Sequence, residues 1–263
     1  MPGYCFRMID THTHVDTRPY EDFEAMALAG ITDILTLAHD PLKMSASIVF
    51  KDHFERLFAE RERVEKNGPR LHVCLGIHPR VKPEDPDACL ELLESYLRRN
   101  DRKVIALGET GLETGSPFEV GLLERQLELS IQYRLPIIIH TPRSNKASVT
   151  RDILGILSTF SIDKKEVVID HADHSTIKPI LDRGYNAGLT VQPSKLTSQQ
   201  AAEIVKQHDA AMIVLNTDAS SNPTDVLGVP RTVHLLRLNK VSDEKIGLVS
   251  ELNAKRIFRL DQP

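Results

Sequence analysis

Met8-Ile9-Asp10-Thr11-His12-Thr13-His14-Val15-Asp16 is the stretch on which the reading of the whole chain turns. It opens as a short apolar strand and ends in two histidines with one residue between them. Successive strand side chains point to opposite faces, so residues two apart share a face. His12 and His14 therefore aim two imidazoles at one point, with Asp10 on the same side and deeper in. A transition-metal centre needs that arrangement, although for a lone His-x-His a pair of surface histidines is the better reading. What separates the two is the pattern that recurs downstream.

Outward from this stretch, eight short β-rich runs alternate with longer amphipathic segments, the signature of repeated βα units. The runs are Arg7–Thr11, Asp33–Ala38, Leu71–Ile77, Val104–Gly108, Pro136–Ile139, Glu166–Asp170, Asn186–Val191 and Met212–Asn216. Ile137-Ile138-Ile139 and Val167-Val168-Ile169 are apolar throughout, as strands buried on both faces read. Helix starts are legible at Asp85-Pro86 and Asn222-Pro223, and as capping boxes at Ser116-Pro117-Phe118-Glu119 and Thr197 with Gln200. Phe118, Leu122, Leu123, Leu127, Ser130 and Ile131 give one of these helices an apolar face. A last amphipathic helix is expected from about Asp243 to Leu260, and helical cover of the mouth from 40–70 and 79–103. With 263 residues and no linker or repeat, the expectation is one α/β domain, residues 1–263, folded as a (β/α)8 TIM barrel.

Composition narrows the function classes. A net charge of -4 and a pI near 6.3 lack the basic bias of a nucleic-acid coat, and 5% aromatic residues without Trp leave little for a base-stacking platform. No apolar run approaches the roughly 18 residues of a membrane span. Cys5, Cys74 and Cys89 have no metal-type spacing and read as reduced thiols. With no leader in sight, a cytoplasmic protein is expected.

The polar residues fall where a barrel carries its chemistry. His12 and His14, His39, His78, Glu109, His140, His171 and Asp218 all sit at or just past the carboxyl ends of runs. In a barrel those ends share one rim, the rim of active sites. Six of the eleven histidines lie there, whereas His53, His208 and His234 lie elsewhere. Four imidazoles and two carboxylates exceed the three protein ligands of a simple catalytic zinc. Two ions sharing a carboxylate account for the surplus: His12, His14 and Asp218 on one, His140 and His171 on the other, Glu109 between. Mixed imidazole and carboxylate donors suit zinc, manganese or iron better than an all-oxygen magnesium site; zinc or manganese is expected, with magnesium as the alternative. Such a pair activates a water and polarises the bond it attacks, and Asp218 is placed to take the water's proton.

Asp10-Thr-His12-Thr-His14-Val-Asp16, Gly76-Ile-His78-Pro79, Ala106-Leu-Gly108-Glu109-Thr-Gly111-Leu112, Ile138-Ile-His140, His171 and Thr217-Asp218 resemble, in order and spacing, the successive motifs of TatD-like metal-dependent hydrolases. These belong to the amidohydrolase-type barrels. The resemblance spans strand one to strand eight. It implies a divalent-metal centre in which His12, His14, Glu109 and Asp218 bind one ion and Glu109, His140 and His171 the other. It also implies hydrolysis of a phosphodiester, ester or amide bond. Three segments depart from the family pattern: Asn216 replaces a usual acidic residue, Thr141-Pro142-Arg143 a usual Ser-Arg, and Asp170-His171-Ala172-Asp173-His174 a deoxyribonuclease-like sequence.

The substrate expectation is therefore a small or phosphorylated molecule, with metal-dependent degradation of single-stranded DNA as the alternative. A non-catalytic metal-binding barrel is the reading of another class. A polymerase-and-histidinol-phosphatase-like barrel also opens with His-x-His but calls for a different strand count. His78, Arg143 and His174 are the candidate substrate contacts, and Arg80, Lys195 and Arg231 complete a candidate cationic rim for a phosphate or carboxylate. His39 is left without a role, and the oligomeric state is not legible.

Overall fold

In the computed structural model, which describes residues 7–99 and 103–260, the eight apolar runs become eight parallel strands. They are β1 (Met8–Thr13), β2 (Ile31–Leu37), β3 (Arg70–Leu75), β4 (Val104–Gly111), β5 (Ile137–His140), β6 (Val167–Ile169), β7 (Asn186–Thr190) and β8 (Ile213–Asn216). They form one sheet in sequence order. The ring closes through the chain just past β8: Asp218 N–H donates to His12 O and His14 N–H to Ala219 O, both at 2.8 Å. The bonds that close the barrel thus also set Asp218 beside the two histidines. β1 runs two residues further than the sequence suggests, so His12 stands inside the strand.

The helices between strands are α1 (Tyr20–Leu28), α2 (Ser47–Glu65), α3 (Pro86–Leu97), α4 (Pro117–Tyr133), α5 (Lys146–Leu157), α6 (Ile177–Asp182), α7 (Ser198–Gln207) and α8 (Gly228–Leu238). Their apolar faces meet the outward strand residues in one continuous core, from Phe23 and Phe54 to Leu236. Inward residues, among them Ile9, Leu37, Ile138 and Val214, fill the barrel. The terminal segment is α9 (Asp243–Gly247), a π turn and α10 (Asn253–Phe258). It adds Ile257 and Phe258 to the inner core, while Asn253 Nδ2 donates to Ala210 O and Ile213 O at the start of β8. The barrel is plugged at its amino-terminal end, which leaves the opposite end for chemistry.

Side-chain caps mark four of the helix starts, at Asp85, Ser116, Thr197 and Ser242. Asp85 accepts from Ala88 N at α3, and Thr197 and Gln200 form a reciprocal box at α7. At α4 the box is incomplete: Ser116 accepts from Glu119 N, but the Glu119 carboxylate collects the amides of Glu113, Thr114 and Gly115 instead. Asn222-Pro223 starts no helix, and α8 begins at Gly228. Asn222 N–H donates to Ser220 Oγ in a turn whose residues line the barrel mouth. On α4, Phe118 and Ile131 are exposed rather than apolar-face residues. The mouth is lined by the loops before α2 and α3, through Asp40, Pro41 and Arg80, not by the helices themselves. Cys74 and Cys89 are buried free thiols, and Cys5 lies outside the described residues. Among the described residues no helix is long and apolar enough to cross a membrane.

Candidate metal centre

Glu109, at 3% exposure, organises the site. Its Oε1 faces His140 Nδ1 at 2.6 Å and His171 Nε2 at 3.1 Å. The other oxygen, Oε2, faces His12 Nε2 at 3.3 Å and His14 Nε2 at 3.8 Å. Asp218 Oδ1 completes that second group, 3.0 Å from His14 Nε2 and 3.7 Å from His12 Nε2. Three overlapping groups here have metal-holding spacing: His12, His14 and Asp218; His12, Glu109 and His171; and His78, Glu109 and His140, so that Glu109 belongs to two of them. Gly111 makes this approach possible. Its φ is +140°, and a Cβ there would collide with the backbone of His140.

Each imidazole is held so that one nitrogen is left for the centre. His12 Nδ1 lies 2.5 Å from Asp170 Oδ2, and His14 Nδ1 lies 3.1 Å from Leu37 O. For His171 the partner is Thr190 Oγ1, 2.7 Å from Nδ1. His140 is reversed: Glu113 Oε2 lies 2.9 Å from its Nε2, and Nδ1 faces Glu109. The backbone helps as well. His171 and Asp218 have φ of +58° and +46°, which breaks strand alternation. Asp170 and His171, adjacent in sequence, can therefore both face the centre.

The charges are strongly coupled. Burial opposes ionisation of Glu109, but the charges of His12, His78 and His140 outweigh it and hold the carboxyl well below its usual range. Burial likewise opposes charge on His12, yet Glu109 and the Asp170 hydrogen bond keep it well above an ordinary imidazole. In His171 burial wins, helped by the ammonium of Lys195, and the pKa falls to about 3. A metal ion requires the carboxylate ionised and the imidazoles neutral, so binding would expel a proton from His12. The donor set fits a divalent ion.

Above the donors opens a cavity of ≈ 590 Å³, reaching His14, Glu109, His140, His171 and Asp218. Over residues 9–259 the sequence matches the TatD related DNase family. The chain belongs to that family. It is 42% identical over 255 residues to an uncharacterized metal-dependent hydrolase of Methanocaldococcus jannaschii, covering 96% of this chain and all of that one. A second metal-dependent hydrolase, YjjV of Escherichia coli, is 28% identical over 231 residues, 82% of this chain and 81% of its own. Among solved structures, a TatD-like protein from Archaeoglobus fulgidus superposes with a TM-score of 0.82 at 31% identity, over 96% of this chain and 100% of that one. This TatD-family chain is a metal-dependent hydrolase.

The TatD-type positions His12, His14, Glu109, His140, His171 and Asp218 all converge. His78 joins them: its Nδ1 accepts from Arg80 N–H at 3.1 Å, so the proton sits on Nε2, 3.6 Å from Glu109 Oε2. That Nε2 is buried with no other partner. Arg143 and Lys195 line the cavity, as does Arg80, which is paired with Asp40. His174 is exposed in the turn before α6 and lines neither this cavity nor its neighbour. Arg231 is on α8, paired with Asp225 away from the mouth.

Asp10, read as sharing the site's face, instead accepts from Thr217 N–H and Oγ1–H, stitching β1 to the end of β8. Sequence reasoning also passed over Asp170, Glu113 and the trio Asp16, His39 and His53. His39 Nε2 lies 3.0 Å from Asp16 Oδ1, and His39 N–H donates to His53 Nε2 at 3.2 Å. Burial works against ionised Asp16, but the His39 hydrogen bond brings its pKa to about 2. The trio has metal-like spacing. However, His53 Nε2 is an acceptor, so its other nitrogen carries the proton and has no lone pair for an ion. The trio braces His14, whose ring lies 4.2 Å from that of His39. The signal available in sequence was His39 itself, at a strand end like the ligands.

Proposed function

We propose that this chain is a binuclear metal hydrolase that cleaves a phosphodiester, ester or amide bond, with a small or phosphorylated substrate favoured. His12, His14, Glu109 and Asp218 would hold one ion and Glu109, His140 and His171 the other, zinc or manganese ahead of magnesium. The observation that carries this reading is the division of Glu109, with one oxygen toward each donor group. Bound ions would supply an activated water and electrophilic stabilisation of the bond it attacks.

The protein's own groups do the rest. Asp218 Oδ2 accepts from Lys195 Nζ at 2.5 Å and Gln192 Nε2 at 2.9 Å, which leaves Oδ1 turned to the centre to receive the water's proton. Although burial opposes it, the Lys195 charge keeps Asp218 well below the usual carboxylate range, ready as an acceptor at neutral pH. His78 is buried and absent from the cavity lining, so its Nε2–H serves Glu109 Oε2 rather than a substrate, while Arg143 offers a bidentate fork at the mouth.

The family's description, and the cations at the mouth, favour a deoxyribonuclease as the second reading. Against it, the only aromatic rings among the cavity-lining residues are imidazoles, which leaves no platform of Phe, Tyr or Trp for a base. A non-catalytic barrel calls for a sealed centre, whereas this one opens into a cavity.

Elemental analysis of purified protein is expected to give two ions per chain, and Glu109→Gln less than one. Restored zinc or manganese should support turnover on a phosphoester, ester or amide panel that Asp218→Asn loses by at least a hundredfold. One ion per chain in the unaltered protein, or Glu109→Gln with a full complement, defeats the binuclear reading. Loss of single-stranded DNA degradation in Asp218→Asn, with no small ester cleaved, selects the nuclease.

A further inference from the structure

A second, smaller cavity of ≈ 130 Å³ shares Arg143, His171 and Lys195 with the first. That is about four times the ~30 Å³ a water occupies in the liquid. Arg143, Lys146 and Lys195 bring three cations to it from two separate segments, one entering α5 and one following β7, with Thr190 and Ser194 between them. The acid that borders it, Asp173, is already engaged: its Oδ1 accepts from Ser175 N–H and Ser175 Oγ–H.

The cations are anchored but not used up. Lys146 Nζ donates to His171 O at 2.5 Å, with Thr141 Oγ1 at 3.5 Å, and a third N–H is left. Arg143 makes no ion pair among the described residues. Lys195 Nζ lies 2.5 Å from Asp218 Oδ2 and 2.9 Å from His171 Nδ1. Nζ also lies 3.2 Å from His171 Nε2, so Lys195 is tied to the rim of the centre and lends its charge to the cavity.

Asp218 offsets Lys195 and Asp173 borders the cavity, so three cations against two carboxylates leave a positive balance that attracts an anion. A carboxylate offers its acceptor sites in one plane, whereas a tetrahedral dianion offers oxygens in three directions and carries the larger charge for three surrounding cations.

We propose that this cavity is a subsite for a phosphate group of the substrate, one that is bound rather than cleaved. As a statement about substrate it rests on the hydrolase reading above; as a statement about anion binding it does not. The substrate class is then a hydrolysable bond with a terminal phosphate close by.

The test has two arms. In the first, titration calorimetry follows inorganic phosphate binding to metal-loaded and chelator-treated protein. Chelator-treated protein should still bind one phosphate, more weakly as salt is raised, and Arg143→Gln and Lys146→Gln should each weaken it at least tenfold. Lys146→Arg should retain binding, which separates loss of charge from loss of fold, and Arg143→Gln alters an exposed side chain that can be lost without unfolding. Acetate should not compete. In the second arm, metal-loaded protein is given two chromogenic esters that differ only by a terminal phosphate. The phosphorylated ester should have a KM at least tenfold lower, and Arg143→Gln should erase the difference. Phosphate binding that needs the metal, survives Arg143→Gln or yields to acetate overturns the proposal. A protein that binds phosphate through Arg143 but cleaves nothing defeats the hydrolase reading and leaves this one standing.

Discussion

Replacing Asp170 by Asn tests whether the centre depends on the tautomer of His12. Asp170 uses both oxygens: Oδ2 lies 2.5 Å from His12 Nδ1, while Oδ1 accepts from His171 N–H at 2.8 Å and Asn216 Nδ2–H at 2.9 Å. An amide has one acceptor and one donor end. If its oxygen keeps the His171 and Asn216 contacts, its NH2 faces His12 Nδ1. His12 must then shift its proton to Nε2, the nitrogen that faces Glu109 and Asp218. If the amide flips, its NH2 meets two donors instead. In the first case His12 turns an N–H rather than a lone pair to the centre; in the second, two buried hydrogen bonds become donor–donor contacts. Loss of such support for a ligand typically costs 10–100-fold in metal affinity, which is about 1.4–2.7 kcal/mol. Competition against a chromophoric chelator, with zinc and with manganese, reads this directly. Asp170→Asn should fold, as checked by circular dichroism, and bind the ions at least tenfold more weakly. A folded variant with unchanged affinity for both metals would refute the tautomer argument.

Other consequences are equally specific. Glu119 is almost wholly buried and its pKa falls to about 2: burial opposes this, but the hydroxyl and amide of Thr114 and the amides of Glu113 and Gly115 outweigh it. The folded pKa lies below the unfolded one, so the stabilisation is complete above about pH 4.5 and is lost as pH falls through 2. From that gap the contribution is about 3 kcal/mol. Glu119→Gln should lower the unfolding free energy by up to that amount at pH 7 in urea titrations, with the gap to the unaltered protein closing toward pH 2; a pH-independent gap would contradict it. Gly188→Ala should lower stability by about 1–3 kcal/mol through overpacking and weaken metal binding along with it, since a Cβ there would enter the Asp170 carboxylate. Thermal unfolding and the same chelator competition check both effects, and loss of stability with full metal affinity would separate Gly188 from the centre.

The barrel and the convergence of its candidate donors were legible because they depend on local pattern: apolar runs that alternate with amphipathic segments, and polar residues that recur at run ends. What supports the ligands was not legible, because it depends on which strands lie side by side and on backbone that departs from alternation. The left-handed residues His171 and Asp218 show the second effect, since period two alone would turn either Asp170 or His171 outward. Asn222-Pro223 shows the same limit from the other side: a local cap signal is overridden where the loop is needed at the mouth.

Asn216 makes the first effect concrete. In the sequence it is a departure from the TatD-like pattern, a neutral amide where an acid is usual, with no visible link to Asp170 forty-six positions earlier. In the sheet, β7 is all that separates them: Ile169 pairs with Ala187, and Gly188 with Val214. Gly188 has no side chain, and through that gap Asp170 reaches Asn216. An acid at 216 would set a second buried carboxylate against Asp170 and force one of the two to take up a proton. Asp170 would then be less able to hold the charge that orients His12. The amide at 216, the glycine at 188 and the carboxylate at 170 are therefore one device, spread over three strands, for fixing the proton and orientation of a single imidazole at the candidate centre.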